Sequence, residues 1–237
     1  MALSKPVQLN NSYQLSAGGC ETYISCPAFF GRLLSATLSG WRVELLQNQQ
    51  PLDLSVTFED NRFEIISDSL DLATGYSDLV DTLNVVLIAL ARLYTKFRVG
   101  KAMIHCAAFI TNHGLSTLIL GTKKAGKSSL TWQTACAGGT VLADDILLWD
   151  EREGNFECLG MPVRLRRPVQ WNGEPEALKK GIIAGKRLAY TRNSIISIAP
   201  VGYIFVPDEI LGAESVGVFR PIPVLKIKHA LQEARIS

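Results

Sequence analysis

Residues Gly121-Thr122-Lys123-Lys124-Ala125-Gly126-Lys127-Ser128 fit the pattern G-x-x-x-x-G-K-[ST] at every required position. Leu118-Ile119-Leu120 precedes the motif, and Ser129-Leu130-Thr131-Trp132-Gln133 follows it. A strand that turns through glycines into a helix constrains the fold severely. It demands a sheet with the loop at a strand end and a helix laid back over it. The residue types have physical reasons. Glycine lets backbone N–H groups curl round an oxyanion with no Cβ in the way. A helix N-terminus adds partial positive charge. Lys127 is placed to neutralise β- and γ-phosphates, and the Ser128 hydroxyl to meet Mg²⁺. The expected phosphate cradle comprises Gly121, Lys124, Ala125, Gly126, Lys127, Ser128 and Ser129. Lys123 and Lys124 either add phosphate contacts or are solvated loop charges.

The rest of the composition is that of a globular protein. Of 237 residues, 47% are hydrophobic and 19% charged. That excludes a disordered, collagen-like or coiled-coil chain. The formal net charge is +2, too small for a global pull on nucleic acid or anionic membrane. The most apolar run, Val85–Ala91, falls short of the about 20 residues a membrane span needs. Cys20, Cys26, Cys106, Cys136 and Cys158 show no C-x-x-C spacing, so reduced cysteines are the simpler reading. The opening residues MALSKPVQLNNSY carry no apolar signal core. A cytoplasmic protein is the expectation.

Two domains are expected, at 1–98 and 99–237. The first begins with short apolar stretches separated by turn residues: Tyr23–Phe30, Ala36–Leu46, Leu54–Phe58 and Phe63–Ile66. These read as short antiparallel strands. A helix follows, capped by Ser77-Asp78 and stopped at Gly100. Leu79, Leu83, Val86, Leu87, Leu90, Leu93, Tyr94 and Phe97 recur at helical spacing along it. Ala102–Ile110 and Leu115–Leu120 then read as a strand pair, with a helix over Ser128–Ala137. Val141–Ala143 and Ile146–Trp149 read as separate strands on either side of an acidic pair. Short strand segments follow at Val163–Leu165, Arg187–Thr191, Ile195–Ala199 and Val201–Val206. Val224–Ile236 reads as a terminal helix.

The acidic pair is Asp144-Asp145, about 16 residues beyond Ser128. A short apolar strand ending in carboxylates is where phosphoryl transfer needs its metal ligand. One carboxylate can hold Mg²⁺, and the other can take a proton from an incoming hydroxyl. Adjacent residues on a regular strand face opposite ways, so both reach one site only at a strand end or a bulge. His105, His113 and His229 are too scattered to form a metal cluster. By itself His105 reads as a core histidine. Developing charge on a transferred phosphoryl group also calls for a further cation, for which Arg is suited. Arg164, Arg166 and Arg167 lie in one segment, and Lys186-Arg187 and Arg192 follow. Arg166 and Arg187 are the candidates, against the alternative of a solvated strand face. Trp132, Trp149, Tyr203 and Phe205 read as packing residues.

His105 with small residues after it, then Gly121–Ser128, then Leu142-Ala143-Asp144-Asp145, resembles the HPr kinase/phosphorylase family in order and spacing over about residues 101–150. The resemblance implies an α/β fold with an HPr kinase/PEP carboxykinase-like P-loop core, here behind an N-terminal β-rich lobe. It implies that Lys127 binds phosphates and that Ser128 and Asp145 hold Mg²⁺. It makes the acidic pair supply a general base and a metal ligand, with Asp144 expected as the base and Asp145 on the metal side, and it puts His105 near the phosphates. The short N-terminal part and the single terminal helix look more like HPr-kinase-related kinases of peptide biosynthetic clusters. Those include kinases that phosphorylate lasso-peptide precursors on serine. The implied activity is ATP-dependent transfer of the γ-phosphoryl group to a Ser or Thr hydroxyl of a peptide or protein, by a homo-oligomer. Two alternatives stay open: a small-molecule kinase on the same scaffold, and a nucleotide-binding regulatory or ATPase module. No N-K-x-D guanine motif is present.

Overall fold

The computed structural model describes residues 10–38, 40–48, 50–67, 70–71, 75–110, 116–120, 126–137, 139–150, 152 and 156–164. It further describes 183–184, 188–189, 198–199, 203–209, 218–221 and 235. The chain is mixed α/β and divides into two compact units. One comprises Met1–Ala36 and Trp41–Phe97, the other Thr37–Gly40 and Arg98–Ser237.

The first unit runs β1 (Asn10–Ala17), β2 (Cys20–Pro27), α1 (Ala28–Thr37), β3 (Arg42–Leu45), β4 (Leu54–Glu59), β5 (Arg62–Ile66) and α2 (Leu79–Lys96). Its sheet has the order β3-β1-β2-β4-β5. Leu15, Ile24, Phe30, Leu34, Leu54 and Ile65 are fully buried and form its core. Helix α2 starts where its cap requires. Asp78 is extended, and its Oδ1 accepts hydrogen bonds from the backbone N–H groups of Val80 and Asp81.

Two strand expectations are corrected in this unit. The stretch Tyr23–Phe30 is not one strand: β2 ends at Pro27, which has no N–H to continue a ladder, and α1 begins at Ala28. Phe30, Leu34 and Leu38 are buried at helical spacing, and that period prevails over the β-like composition. Gly31 lies mid-helix because a Cβ there would overlap the Tyr13 ring, within 2.6 Å of its Cε2 and Oη. The second correction concerns pairing. Strands β2 and β4 are parallel, not antiparallel. Asp53 ties them: its N–H donates to the Tyr23 carbonyl at 2.8 Å, and its Oδ2 accepts from the Tyr23 N–H at 2.9 Å.

The second unit contains β6 (Lys101–Ile110), β7 (Ser116–Leu120), α3 (Lys127–Cys136), β8 (Thr140–Asp150), β9 (Phe156–Glu157) and β10 (Val163–Arg164). Further short strands are β11 (Ile183–Ala184), β12 (Leu188–Ala189), β13 (Ile198–Ala199), β14 (Tyr203–Glu209) and β15 (Val218–Pro221). A seven-stranded sheet has the order β13-β9-β8-β6-β7-β14-β15, and β10-β12-β11 form a small second sheet. Strand β6 is antiparallel to both neighbours, so β7 and β8 run in the same direction on either side of it. Chain order β7–α3–β8 therefore makes a crossover over β6. Ala107, Phe109 and Ile119 form one buried face, against which Leu130 of α3 packs. Ile104, Cys106, Ala108, Leu118, Leu147 and Trp149 belong to the other.

Two expectations about this unit change. The acidic pair does not separate two strands. Strand β8 is continuous from Thr140 to Asp150 and carries both carboxylates within it. A register shift opposite Ala108/Phe109 absorbs the extra residue, as a bulge does. Within the expected terminal helix, residues 224–234 and 236 lie outside the described residues. Arg235 is not helical: it makes an antiparallel bridge to Ile104, on β6 beyond the last residue that pairs with β7. Among the described residues, no helix is long and apolar enough to cross a membrane.

Candidate active site

Sheet register brings the sequence-predicted residues to one level. Leu120, the last residue of β7, pairs with Cys106 on β6, and Cys106 pairs with Asp145 on β8. The motif leaves β7 at that row, two strand spacings or about 10 Å from Asp145. Six residues separate the end of β7 from the start of helix α3 at Lys127. Gly121, Lys124 and Ala125 lie outside the described residues. Gly126 is the helix N-cap, with φ 88° in the left-handed region that glycine adopts without a steric cost. Among the described residues, no side chain caps this helix start. Gly126 and Lys127 are bound into the first turn. The Gly126 carbonyl accepts from the Leu130 N–H at 3.0 Å, and the Lys127 carbonyl accepts from Thr131 Oγ1 at 3.0 Å. Ser128 and Ser129 follow on the same turn, half-buried.

Lys127 and Asp144 are both buried, at 7% and 2% exposure. A buried lysine and a buried carboxylate persist only where opposite charge or hydrogen bonding compensates their desolvation. Asp144 stands opposite Ala107 on the sheet face against which α3 packs, and Lys127 opens α3. The Cys106 thiol feels both charges. Burial pushes it up first, then the Cys158 thiol; Lys127 pulls it down and Asp144 pushes it up. The carboxylate and the ammonium therefore act on one sulfur with opposite sign. Asp144 Oδ1 is a buried atom that accepts no hydrogen bond, although the carboxylate has other interactions. An oxygen so placed suits a hard cation. So does the donor set of hydroxyl and carboxylate: Mg²⁺ takes one or two carboxylates and completes its shell with water and substrate phosphates. Among the described residues, no three His, Cys, Asp or Glu side chains converge as a metal cluster.

Strand parity explains the rest of the site. His105, Ala107 and Phe109 alternate onto the α3 face, and Asp144 stands opposite Ala107 on that face. Asp145 stands opposite Cys106, so a regular strand would send its side chain to the other face. Its φ is 80°, an uncommon backbone for a residue with a Cβ. Asp145 Oδ1 lies 2.9 Å from His105 Nε2, and both side chains remain about one-third exposed, at 31% and 32%. The left-handed residue thus breaks the alternation and brings the second carboxylate to the histidine. Backbone outliers of this kind persist where the surrounding structure enforces them, and they concentrate at functional sites.

His105 and Asp145 are in contact, with Asp144 the residue before Asp145 on β8, and Lys127 opens the helix that packs on this face. Arg166 and Arg187 lie outside the described residues. Arg164 is in β10, paired with Leu188. Trp132 and Trp149 are buried, as packing residues should be. The sequence reading missed a second charged group. Glu157 is 3% exposed and lies 2.6 Å from Lys101 Nζ and 3.1 Å from an Arg98 guanidinium nitrogen. Lys101 is five residues from Cys106 along β6, about 17 Å away. Glu157 therefore balances two cations far from the loop. No spacing rule marks such a trio in sequence, because its members meet only through sheet pairing. No known protein family matches the chain, and no curated protein matches it.

Proposed function

We propose that the chain is an ATP-dependent kinase with an HPr kinase-like P-loop core, acting on a Ser or Thr hydroxyl of a peptide or protein. One observation carries the reading. The G-x-x-x-x-G-K-S motif joins a strand end to a helix start without a side-chain cap, and the buried Asp144 of an acidic pair faces the side of the sheet on which that helix, opened by the buried Lys127, packs. This is the charge arrangement that in-line phosphoryl transfer requires.

In the reaction, the acceptor oxygen attacks the γ-phosphorus and its proton passes to a carboxylate of the acidic pair. The bond from the γ-phosphorus to the β,γ-bridging oxygen breaks, and ADP leaves with that electron pair. Lys127 and the first amides of α3 hold the phosphates and offset the charge that moves onto ADP. Mg²⁺, when bound, neutralises phosphate oxygens from the Ser128 and acidic-pair side. His105 fixes the orientation of the Asp145 carboxylate through the 2.9 Å contact.

The test is transfer of label from γ-³²P-ATP in a cytoplasmic extract of the source organism, with wild type beside Lys127→Ala. Label on a peptide or protein with wild type only is the expected result. Label confined to a small molecule would replace the acceptor class. Release of free phosphate alone would leave an ATPase. Unchanged Mg-ATP affinity in Lys127→Ala would remove the nucleotide site from this loop.

A further inference from the structure

The sheet of the first unit, β3-β1-β2-β4-β5, treats its two edges differently. At the β5 edge, the Phe63 N–H donates to the Tyr76 carbonyl at 2.6 Å, and the Phe63 carbonyl accepts from the Tyr76 N–H at 2.8 Å. At the β3 edge, no strand or bridge among the described residues continues the sheet. The ladder shows which backbone groups face out there. The Leu46 N–H donates to the Ser12 carbonyl at 2.8 Å. Hydrogen-bonded and non-hydrogen-bonded pairs alternate along an antiparallel ladder, and Leu45 stands opposite Tyr13, Glu44 opposite Gln14 and Val43 opposite Leu15. Arg42 and Glu44 therefore turn their N–H and C=O groups to β1, and Val43 and Leu45 turn theirs outward. Such a row is a template for another strand. Natural edges are commonly guarded by charge, but the charges here are of opposite sign. Arg42 and Glu44 form an ion pair at 2.7 Å, with side chains 73% and 46% exposed. Leu45, on the other face of the strand, is 60% exposed.

We propose that β3 is a self-pairing edge, through which two copies of this chain join antiparallel about a two-fold axis at Val43. In that register the outward N–H and C=O of Val43 bond to their counterparts in the second copy. Arg42 faces Glu44 of the second copy, and Glu44 faces its Arg42, so unlike charges meet directly on both sides of the axis. Continued by one residue, the register sets the exposed Leu45 opposite Trp41 of the second copy. An axis moved by one residue would oppose Glu44 to Glu44, or Arg42 to Arg42, and like charges directly opposite are unfavourable. Arg42-Val43-Glu44 is thus its own complement in the antiparallel sense, and this match selects a second copy as the occupant. The two five-stranded sheets become one continuous sheet. The inference concerns the first unit alone and does not rest on the kinase reading.

The test is sedimentation equilibrium of the full chain over a range of concentrations. Wild type is compared with Glu44→Arg, Arg42→Glu, the double exchange Arg42→Glu/Glu44→Arg, and Val43→Pro. Wild type is expected at twice the mass of either single exchange. The double exchange, and an equimolar mixture of the two single exchanges, should both restore the wild-type mass, because each again opposes unlike charges. Val43→Pro removes an outward N–H and leaves the β1 ladder its donors, so a halved mass with unchanged circular dichroism is expected. If that variant does not fold, the charge exchanges decide alone, at side chains that are exposed. A wild type that is monomeric at its highest soluble concentration overturns the proposal and leaves the edge to a strand of another protein or of this chain. A wild-type assembly that the single exchanges leave intact, or that the double exchange does not restore, puts the contact elsewhere and overturns it as well.

Discussion

The five-stranded sheet of the first unit and the β6–β7–β8 core of the second are built to different rules. In the first, each strand of the hairpin alternates as a half-buried strand should: Tyr13, Leu15 and Ala17 are buried on β1, and Cys20, Thr22, Ile24 and Cys26 on β2. Helix α2 is capped by an aspartate, and the surface ion pair Arg42–Glu44 is exposed on both sides. In the second, a lysine and an aspartate are buried, a helix start is left uncapped, and an aspartate takes a left-handed backbone inside a long strand. Each of these is unfavourable for stability taken singly. Departures from local consistency gather at functional sites, and this contrast is why the β6–β8 core is the candidate site.

The largest expected effect belongs to the first unit. Phe30 is fully buried and lies 6.2 Å from Phe63, ring centroid to centroid. Phe30→Ala should cost about 3–5 kcal/mol of stability in chemical denaturation, the range for deleting a core aromatic. Nucleotide affinity of the folded protein should stay at the wild-type value. A parallel loss of affinity would break the separation drawn between the two regions.

A smaller effect tests α1 itself. Alanine favours a helix over glycine by about 1 kcal/mol, so Gly31→Ala would stabilise an isolated α1. In the folded unit the added methyl meets the Tyr13 ring, and overpacking of this kind costs about 1–3 kcal/mol. The expected net result is a loss of about 1 kcal/mol. Combining it with Tyr13→Leu should give less than the sum of the single losses, because the two changes share one contact. A stabilised Gly31→Ala would show that Tyr13 moves aside at no cost.

The same contrast explains what could be read from sequence. Helix α2 was legible because its apolar residues repeat at helical spacing over five turns and Asp78 supplies a cap. Helix α1 was not, because Gly31 and the pair Phe29-Phe30 look like turn and strand material until Tyr13 is known to lie against the glycine. The parallel pairing of β2 and β4 depends on Asp53 meeting Tyr23 from 30 residues away, a relation no local pattern carries. At the candidate site, the glycine-lysine-serine motif and the two aspartates were legible as residue types, since the expectation of a phosphate loop rests on residue identity and spacing alone. Their arrangement was not. Backbone parity predicts opposed carboxylates, and only the left-handed residue at Asp145 undoes it.

That residue gives the smallest predicted effect, and it bears most directly on the comparison. Asp145 has φ 80°, a conformation that is unstrained for glycine and tolerated by asparagine. Asp145→Gly removes the Cβ that makes the backbone costly and forfeits the partly exposed contact with His105, which is worth little in water. The relief of a strained position is about 1 kcal/mol at the lower end. The variant should therefore be more stable than wild type by up to about 1 kcal/mol in chemical denaturation, while losing phosphoryl transfer. Asp145→Asn, which keeps the left-handed preference, should lose transfer with little change in stability. A destabilised Asp145→Gly would mean that the His105 contact, not the chemistry, maintains the left-handed turn, and β8 would then obey the same stability-first rules as the sheet of the first unit.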